Sequence, residues 1–208
     1  HVHQTFGLQT RHDNIRDVAL YNTVERRRVG TVRRDDVRVT SLGLYWSVEA
    51  RPLPWLRPWA GVRGDLYWFD VDAESLPENS GDEADAIASP KLGLVFGPWY
   101  DSELYLNYGR GFHSNDARGT TIRVDPGSGE PAQQVDPLVA TEGAEVGART
   151  TWVPGLQSTV ALWWLDLDSE LLFIGDAGNT EATRPSRRYG VEFANHWMPL
   201  EWLTLDAD

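Results

Sequence analysis

The chain has 208 residues, enough for one sizeable domain, and all-β domains of this length are common. It contains no cysteine, which excludes disulfide bonds, thiolate metal sites and a cysteine nucleophile. Its formal net charge of -12 argues against nucleic-acid binding, because phosphate contacts need a basic surface. Ten tryptophans are the outlier of the composition, and this residue favours interfaces with one apolar and one wet side.

Alternation of apolar and polar residues dominates the sequence and predicts strands. Nine strands fit the pattern: 4–11, 36–50, 56–72, 89–97, 101–112, 138–152, 157–174, 187–198 and 201–208. Short turns with Pro or Gly are predicted at 51–55, 97–101, 153–157 and 198–201. Long polar loops are predicted at 12–35, 73–88, 113–137 and 175–186, with 17–28 a candidate for a strand extension beyond the sheet.

Long and short connections therefore alternate, which is typical of outer-membrane barrels with short periplasmic turns and long extracellular loops. Each strand also has two faces, as in 36–50, where Leu42, Leu44 and Trp46 oppose Tyr45 and Glu49. In a soluble barrel this pattern would place charges inward or large apolar residues outward, and either is costly. The sequence predicts an all-β fold: a segment of an antiparallel transmembrane β-barrel, about nine up-and-down strands with a polar inner face.

Several motifs, in order along the chain, resemble those of TonB-dependent outer-membrane receptors. These are WAGVRGDLYWFDV (59–71), SPKLGLVFGPWYDSELYLNYGRGFHSNDARG (89–119), LVATEGAEVGARTTW (138–152), LWWLDLDSELLF (162–173) and RPSRRYGVEF (184–193). The resemblance implies a barrel of about 22 strands plugged by a globular domain. It implies that residues 1–208 form part of a single barrel domain, its middle to later strands, without the plug or the barrel ends.

The resemblance also implies a function: active uptake of a scarce ligand, such as a siderophore–iron complex, across the outer membrane of a Gram-negative bacterium. Implied partners are outer-membrane lipid and lipopolysaccharide, the plug domain of the full-length chain, and an inner-membrane energy-coupling complex that acts through the plug. No cofactor and no enzymatic activity are expected. The alternatives are a passive porin-like barrel and a soluble β-rich binding module.

Four polar residues follow a strand that ends at the outer rim of this barrel: His113, Asn115, Asp116 and Arg118. They are candidates for contact with a ligand or with the plug. The alternative is an ordered loop in which Asn and Asp cap turns through local backbone bonds. No base and nucleophile are paired with them, so no catalytic residue is assigned.

Inward-facing charges on the strands form a second candidate set: Arg63, Asp65, Glu145, Arg149, Arg188 and Glu192. They either line a translocation route or pair as a charge ladder that holds the wall and seats the plug, since buried charges usually pair.

Three further segments carry weaker signals. The acidic stretch 74–86 has carboxylates that suit calcium but lacks the spacing of a calcium loop, and a solvated loop is the alternative. The arginines of 25–34 either bind lipopolysaccharide phosphates or an anionic ligand, or pair across strands. Neither the loop 175–186 nor the histidines His1, His3, His12 and His196 show a metal-site spacing, so no metal is expected.

Overall fold

The computed structural model describes residues 1–169, 171–174, 179–182 and 184–208. Its strands are β1 Val2–Val24, β2 Arg27–Ala50, β3 Leu56–Ala73, β4 Gly81–Trp99, β5 Ser102–Ser114, β6 Leu138–Thr150, β7 Leu156–Leu167, β8 Leu171–Ile174, β9 Asn179–Ala182, β10 Ser186–Leu200 and β11 Leu203–Ala207. A 3-10 turn covers Pro77–Asn79, and the one-turn helix α1 covers Ala117–Thr120. Among the described residues, no helix has the length and apolar character needed to cross a membrane.

Nine strands form one antiparallel sheet in the order β1-β2-β3-β4-β5-β6-β7-β10-β11, and β8 and β9 form a separate hairpin. Each strand of the large sheet pairs with the next one along the chain, apart from the β8–β9 excursion between β7 and β10. This up-and-down topology confirms the predicted fold class.

The prediction of a loop at 12–35 is wrong. β1 and β2 continue through it as one long hairpin, which turns at Glu25 and Arg26, both with positive φ. Polar side chains occur on both faces of this ribbon and weaken the period-two signal, while the antiparallel pairing of β1 and β2 continues through it with three register shifts. Because β3 ends at Ala73 opposite Asp35, the ribbon above Asp35 projects beyond the neighbouring strand, as proposed for 17–28.

The second predicted loop, 73–88, is shorter than expected because β4 begins at Gly81 and pairs with the outer part of β3. The predicted strand 157–174 ends at Leu167, and β8 starts a new hairpin. The predicted loop 175–186 lies partly outside the described residues, and β9 occupies part of what is described there.

The outward face carries rows of apolar side chains that run across the sheet in register. One row joins Leu106, Val146, Leu162 and Val191 on four neighbouring strands. Each of these four side chains remains about half exposed, from 46% to 56%. An exposed apolar surface of this continuity matches the lipid-facing band of a membrane barrel.

Candidate functional site: the inner wall and the loop that covers it

The loop 115–137 folds back over the inner face of the wall at its outer end. Ala117 of α1 and Leu138 at the start of β6 pack on inward side chains of β2 and β3. The buried cluster that results consists of Val37, Phe69, Val71, Ala117 and Leu138. Ile122 in the same loop is fully buried. The inner face is therefore apolar and covered at this end, beyond the part of the strands that carries the predicted inward charges.

Charged residues of the loop and of β2 meet beside this cluster. Arg33 and Asp35 are in direct contact, and their side chains are only 4% and 1% exposed. Arg33 Nη2 also donates to the backbone oxygen of Arg118 at 3.2 Å, and Arg118 Nη1 lies 4.0 Å from Asp35 Oδ2. Because a buried carboxylate is costly without paired cations, the loop contributes to the neutralisation of Asp35.

Asp116 binds Arg118 within the loop. The Arg118 Nη2 donates to Asp116 Oδ2 at 2.6 Å, and the Arg118 backbone N–H donates to Asp116 Oδ1 at 2.9 Å, which caps α1. Burial tends to raise the pKa of Asp116, but the hydrogen bonds and charge of Arg118 outweigh it and hold the pKa below its usual range. The same carboxylate raises the pKa of Arg118. Both groups are therefore charged at neutral pH, which suits a structural ion pair and not proton transfer.

Asn79 fastens the loop to the β3–β4 connection. Its side-chain Nδ2 donates to the Val124 backbone oxygen at 2.8 Å. Its Oδ1 accepts from the backbone N–H groups of Arg123 at 2.8 Å and Val124 at 2.9 Å. The Thr121 hydroxyl donates to the Asn79 backbone oxygen at 2.9 Å. Asn79 was not among the predicted site residues, because it lies inside the acidic stretch 74–86, which was predicted as a solvated loop.

Asn115 closes the other end of the loop. Its Nδ2 donates to the backbone oxygen of Asp136 at 2.6 Å, and its N–H donates to the oxygen of Pro137 at 2.9 Å. His113 is half-buried at the end of β5, opposite Val139 on β6. The structure thus joins Asp116 and Arg118 in one network, places Asn115 at the loop closure and leaves His113 apart from both. Contact of these four residues with a ligand or plug stays a prediction.

The inward charges of the strands pair with one another. Arg63 donates to Asp65 through Nε and Nη2 at 2.7 to 2.9 Å, and the Asp65 side chain is buried. Glu103 accepts from Arg57 at 3.3 Å and contacts Arg149. Arg57 was missed by the sequence analysis, although the same alternation that places Arg63 inward also places Arg57 there.

The remaining predicted members of this inward set lie on β6 and β10. The Tyr105 hydroxyl binds Glu145, which faces the same side as Glu103. Arg188 and Glu192 share the inward face of β10 by register, opposite Leu165 and Ala161. The inward charges therefore lie on four strands, β3, β5, β6 and β10.

Large inward side chains lie flat over glycines of the neighbouring strand. The in-register pairs are Tyr45 over Gly7, Trp59 over Gly93, Tyr105 over Gly147 and Trp163 over Gly190. A Cβ at the first three glycines would lie between 1.9 and 2.4 Å from the ring atoms. The absence of a side chain therefore lets each ring rest against the wall instead of standing out into the interior.

The arginines of 25–34 divide into two groups. Arg33 and Arg34 are paired, Arg34 with Asp17 at 2.9 Å and Glu74 at 3.2 Å. Arg28 stacks over the ring of Tyr21 at 4.0 Å near the exposed tip of the hairpin. At the base of the hairpin, Arg34 thus pairs across strands and Arg33 pairs with Asp35 on its own strand, and anion binding at the tip stays a prediction.

Histidine and carboxylate side chains are the residue types of this chain that could bind a metal ion. In the part of the chain that the structure describes, no group of three His, Asp or Glu side chains has an arrangement that could hold a metal ion. His12 contacts the Thr40 hydroxyl at 2.8 Å, and His196 contacts Asp206 at 2.6 Å.

Comparison with solved structures shows the same fold in transporters and uptake receptors. The copper transporter OprC matches with a TM-score of 0.69 and 14% identity, over 99% of this chain and 34% of its own. The ferric yersiniabactin uptake receptor FyuA from Yersinia pestis matches with a TM-score of 0.67 and 14% identity, over 99% of this chain and 31% of its own. The FrpB iron transporter from Neisseria meningitidis (F3-3 variant) matches with a TM-score of 0.64 and 12% identity, over 95% of this chain and 30% of its own.

The chain thus spans about a third of the length of these solved structures. No curated protein sequence gives a significant match. The family model described as TonB dependent receptor-like, beta-barrel, matches residues 2–208. Together with the two-faced antiparallel wall, this match confirms the resemblance seen in the sequence motifs: the chain belongs to the β-barrel family of TonB-dependent receptors.

Proposed function

We propose that this chain forms part of the barrel wall of an outer-membrane transporter that takes up a scarce ligand, such as a siderophore–iron complex, with energy from an inner-membrane complex. The observation that carries the proposal is the two-faced wall of the family fold, apolar outside and lined with paired charges inside. The solved proteins with this fold include a ferric yersiniabactin uptake receptor and a ferric-catecholate import receptor. Neither catalysis nor a cofactor is part of the proposal.

The inward charges suit a wall that holds a globular plug. Arg63–Asp65 and the Arg57–Glu103–Arg149 group are satisfied within the wall, yet their arginines keep further N–H donors. We propose that these groups seat the plug domain through polar contacts. The loop 115–137, fastened by Asn79, then covers the outer end of the same interior above the plug.

The test is uptake in cells. Cells that lack the gene for the full-length chain are compared with wild-type cells under iron limitation. Uptake of a panel of labelled ferric siderophores is measured with and without a protonophore. Loss of energy-dependent uptake of one compound, restored by the full-length gene, supports the proposal. Unchanged uptake of every compound and unchanged growth under iron limitation would contradict the choice of ligand class.

A passive porin is the alternative function. It predicts steady ion conductance when the purified full-length protein is inserted in planar bilayers, whereas a plugged receptor is expected to remain closed. The family match over residues 2–208 favours the plugged receptor.

A further inference from the structure

A row of four charged side chains crosses the outward face directly above its apolar rows. Arg110 on β5 lies opposite Glu142 on β6, Glu142 opposite Asp166 on β7, and Asp166 opposite Arg187 on β10. Arg110 Nη2 lies 3.1 Å from Glu142 Oε2, and Arg187 Nε lies 2.8 Å from Asp166 Oδ1. We call these four residues the outer charge row.

Aromatic side chains lie one step below the outer charge row on the same face. They are Tyr108, Trp164 and Tyr189, in register with one another across the four strands. The Trp164 Nε1 donates to Asp166 Oδ1 at 3.1 Å, and the Arg187 guanidinium stands 6.0 Å from the Trp164 ring centroid. The Tyr108 hydroxyl likewise interacts with Arg110.

On β5, β7 and β10 the outward face therefore changes from aliphatic to aromatic to charged, whereas on β6 it runs from Val146 through Ala144 to Glu142. Tyr and Trp take positions at the level of lipid headgroups, where one edge of the ring is apolar and the other polar. The side chains of the outer charge row lie above these aromatic residues and point outward, so they contact the lipid headgroup region just outside the hydrocarbon core. The orientation with long connections outside assigns this edge to the outer leaflet.

We propose that the outer charge row binds the phosphate groups of phosphorylated lipid headgroups in the outer leaflet, with Arg110 and Arg187 as the donors. This rests on the proposed outer-membrane location. Both arginines are well exposed, at 55% and 68%, and each directs only part of its five N–H donors to its carboxylate. Arg110 and Arg187 stand at the two ends of the row, and Glu142 and Asp166 orient their guanidinium groups. Each guanidinium can then bind a phosphate group in a bidentate manner.

The test uses the purified full-length receptor in detergent, titrated with bisphosphorylated lipid A, with dephosphorylated lipid A and with inorganic phosphate. The double variant Arg110→Gln, Arg187→Gln is expected to lose about 25-fold in affinity for lipid A, at about fivefold per arginine. Arg51→Gln, at the exposed short turn on the opposite end of the wall, is the matched control for a general loss of positive charge and is expected to leave the affinity unchanged. Arg→Lys at both positions is expected to restore part of the loss, since Lys retains charge without the fork.

Equal binding of phosphorylated and dephosphorylated lipid A by the wild-type protein would overturn the proposal, and this comparison requires no variant to fold. A loss in Arg51→Gln as large as that of the double variant would also overturn it. Competition by inorganic phosphate alone, without affinity for lipid A, would assign the row to free anions instead. The outcome is independent of the uptake experiment, because lipid binding is measured without transport or ligand.

Discussion

Asn79→Ala is expected to release the loop 115–137 from the wall without unfolding the barrel. The substitution removes three hydrogen bonds, one to the Val124 oxygen and two from the N–H groups of Arg123 and Val124. At about 1 kcal/mol for each bond, and more for backbone groups left buried without a partner, the local opening free energy should fall by about 3–5 kcal/mol. Asn79 itself is almost entirely buried, so water cannot replace these bonds without a rearrangement.

Hydrogen exchange of the full-length protein in detergent measures this loss. At about 1.4 kcal/mol per tenfold change, protection of the amides in 119–135 should fall by two to three orders of magnitude, while that of β6 and β7 stays unchanged. Asn79→Asp keeps both accepted bonds and should give an intermediate loss. Asn22→Ala on the exposed hairpin serves as the control and should have no effect. Unchanged protection of 119–135 in Asn79→Ala would refute the assignment of Asn79 as the fastening of the loop.

Two further substitutions test the wall itself. Asp35→Ala leaves the buried guanidinium of Arg33 without its carboxylate and should lower the local stability by about 3–5 kcal/mol. The loss is measured as protease cleavage in the loop 115–137 of the folded protein. Protease resistance equal to that of the wild type would contradict the role of this pair. Gly43→Val places a Cβ 2.1 Å from Arg63 Nη2 and should lower the temperature at which the barrel unfolds on heated gels. Gly64→Val is its control, since nothing lies within 4 Å of a Cβ there, and equal shifts of both variants would count against the steric argument.

The outcome for the loop 113–137 shows where sequence reasoning reached its limit. Strand alternation through 101–112 was sufficient to place His113 and its neighbours at the outer rim, and the capping role of Asp116 follows from the local residue types. Nothing in the spacing indicated that Ala117 would pack on β2 and β3, because its partners there lie tens of residues away, or that Ile122 would be fully buried. The role of Asn79 was not predicted for the same reason, since its three partners belong to another connection.

The hairpin 2–50 shows the complementary failure. Its outer half has polar residues on both faces, so the contrast that marks a half-buried strand is absent, and 12–35 was predicted as a loop. What maintains the strands there is the ladder of backbone bonds between β1 and β2, which does not depend on side-chain polarity.

The sequence by itself determined the class of the protein: an antiparallel wall with one apolar and one charged face, in the family of TonB-dependent receptors. Period-two alternation and the order of short motifs are local features, and they carry that information without knowledge of which strands pair. The tertiary structure alone decided which charges meet, that a polar-looking loop seals an apolar patch of the interior, and that Arg110, Glu142, Asp166 and Arg187 stand in one row. These facts depend on register between strands, and a shift of one residue would turn every side chain of a strand to the opposite face.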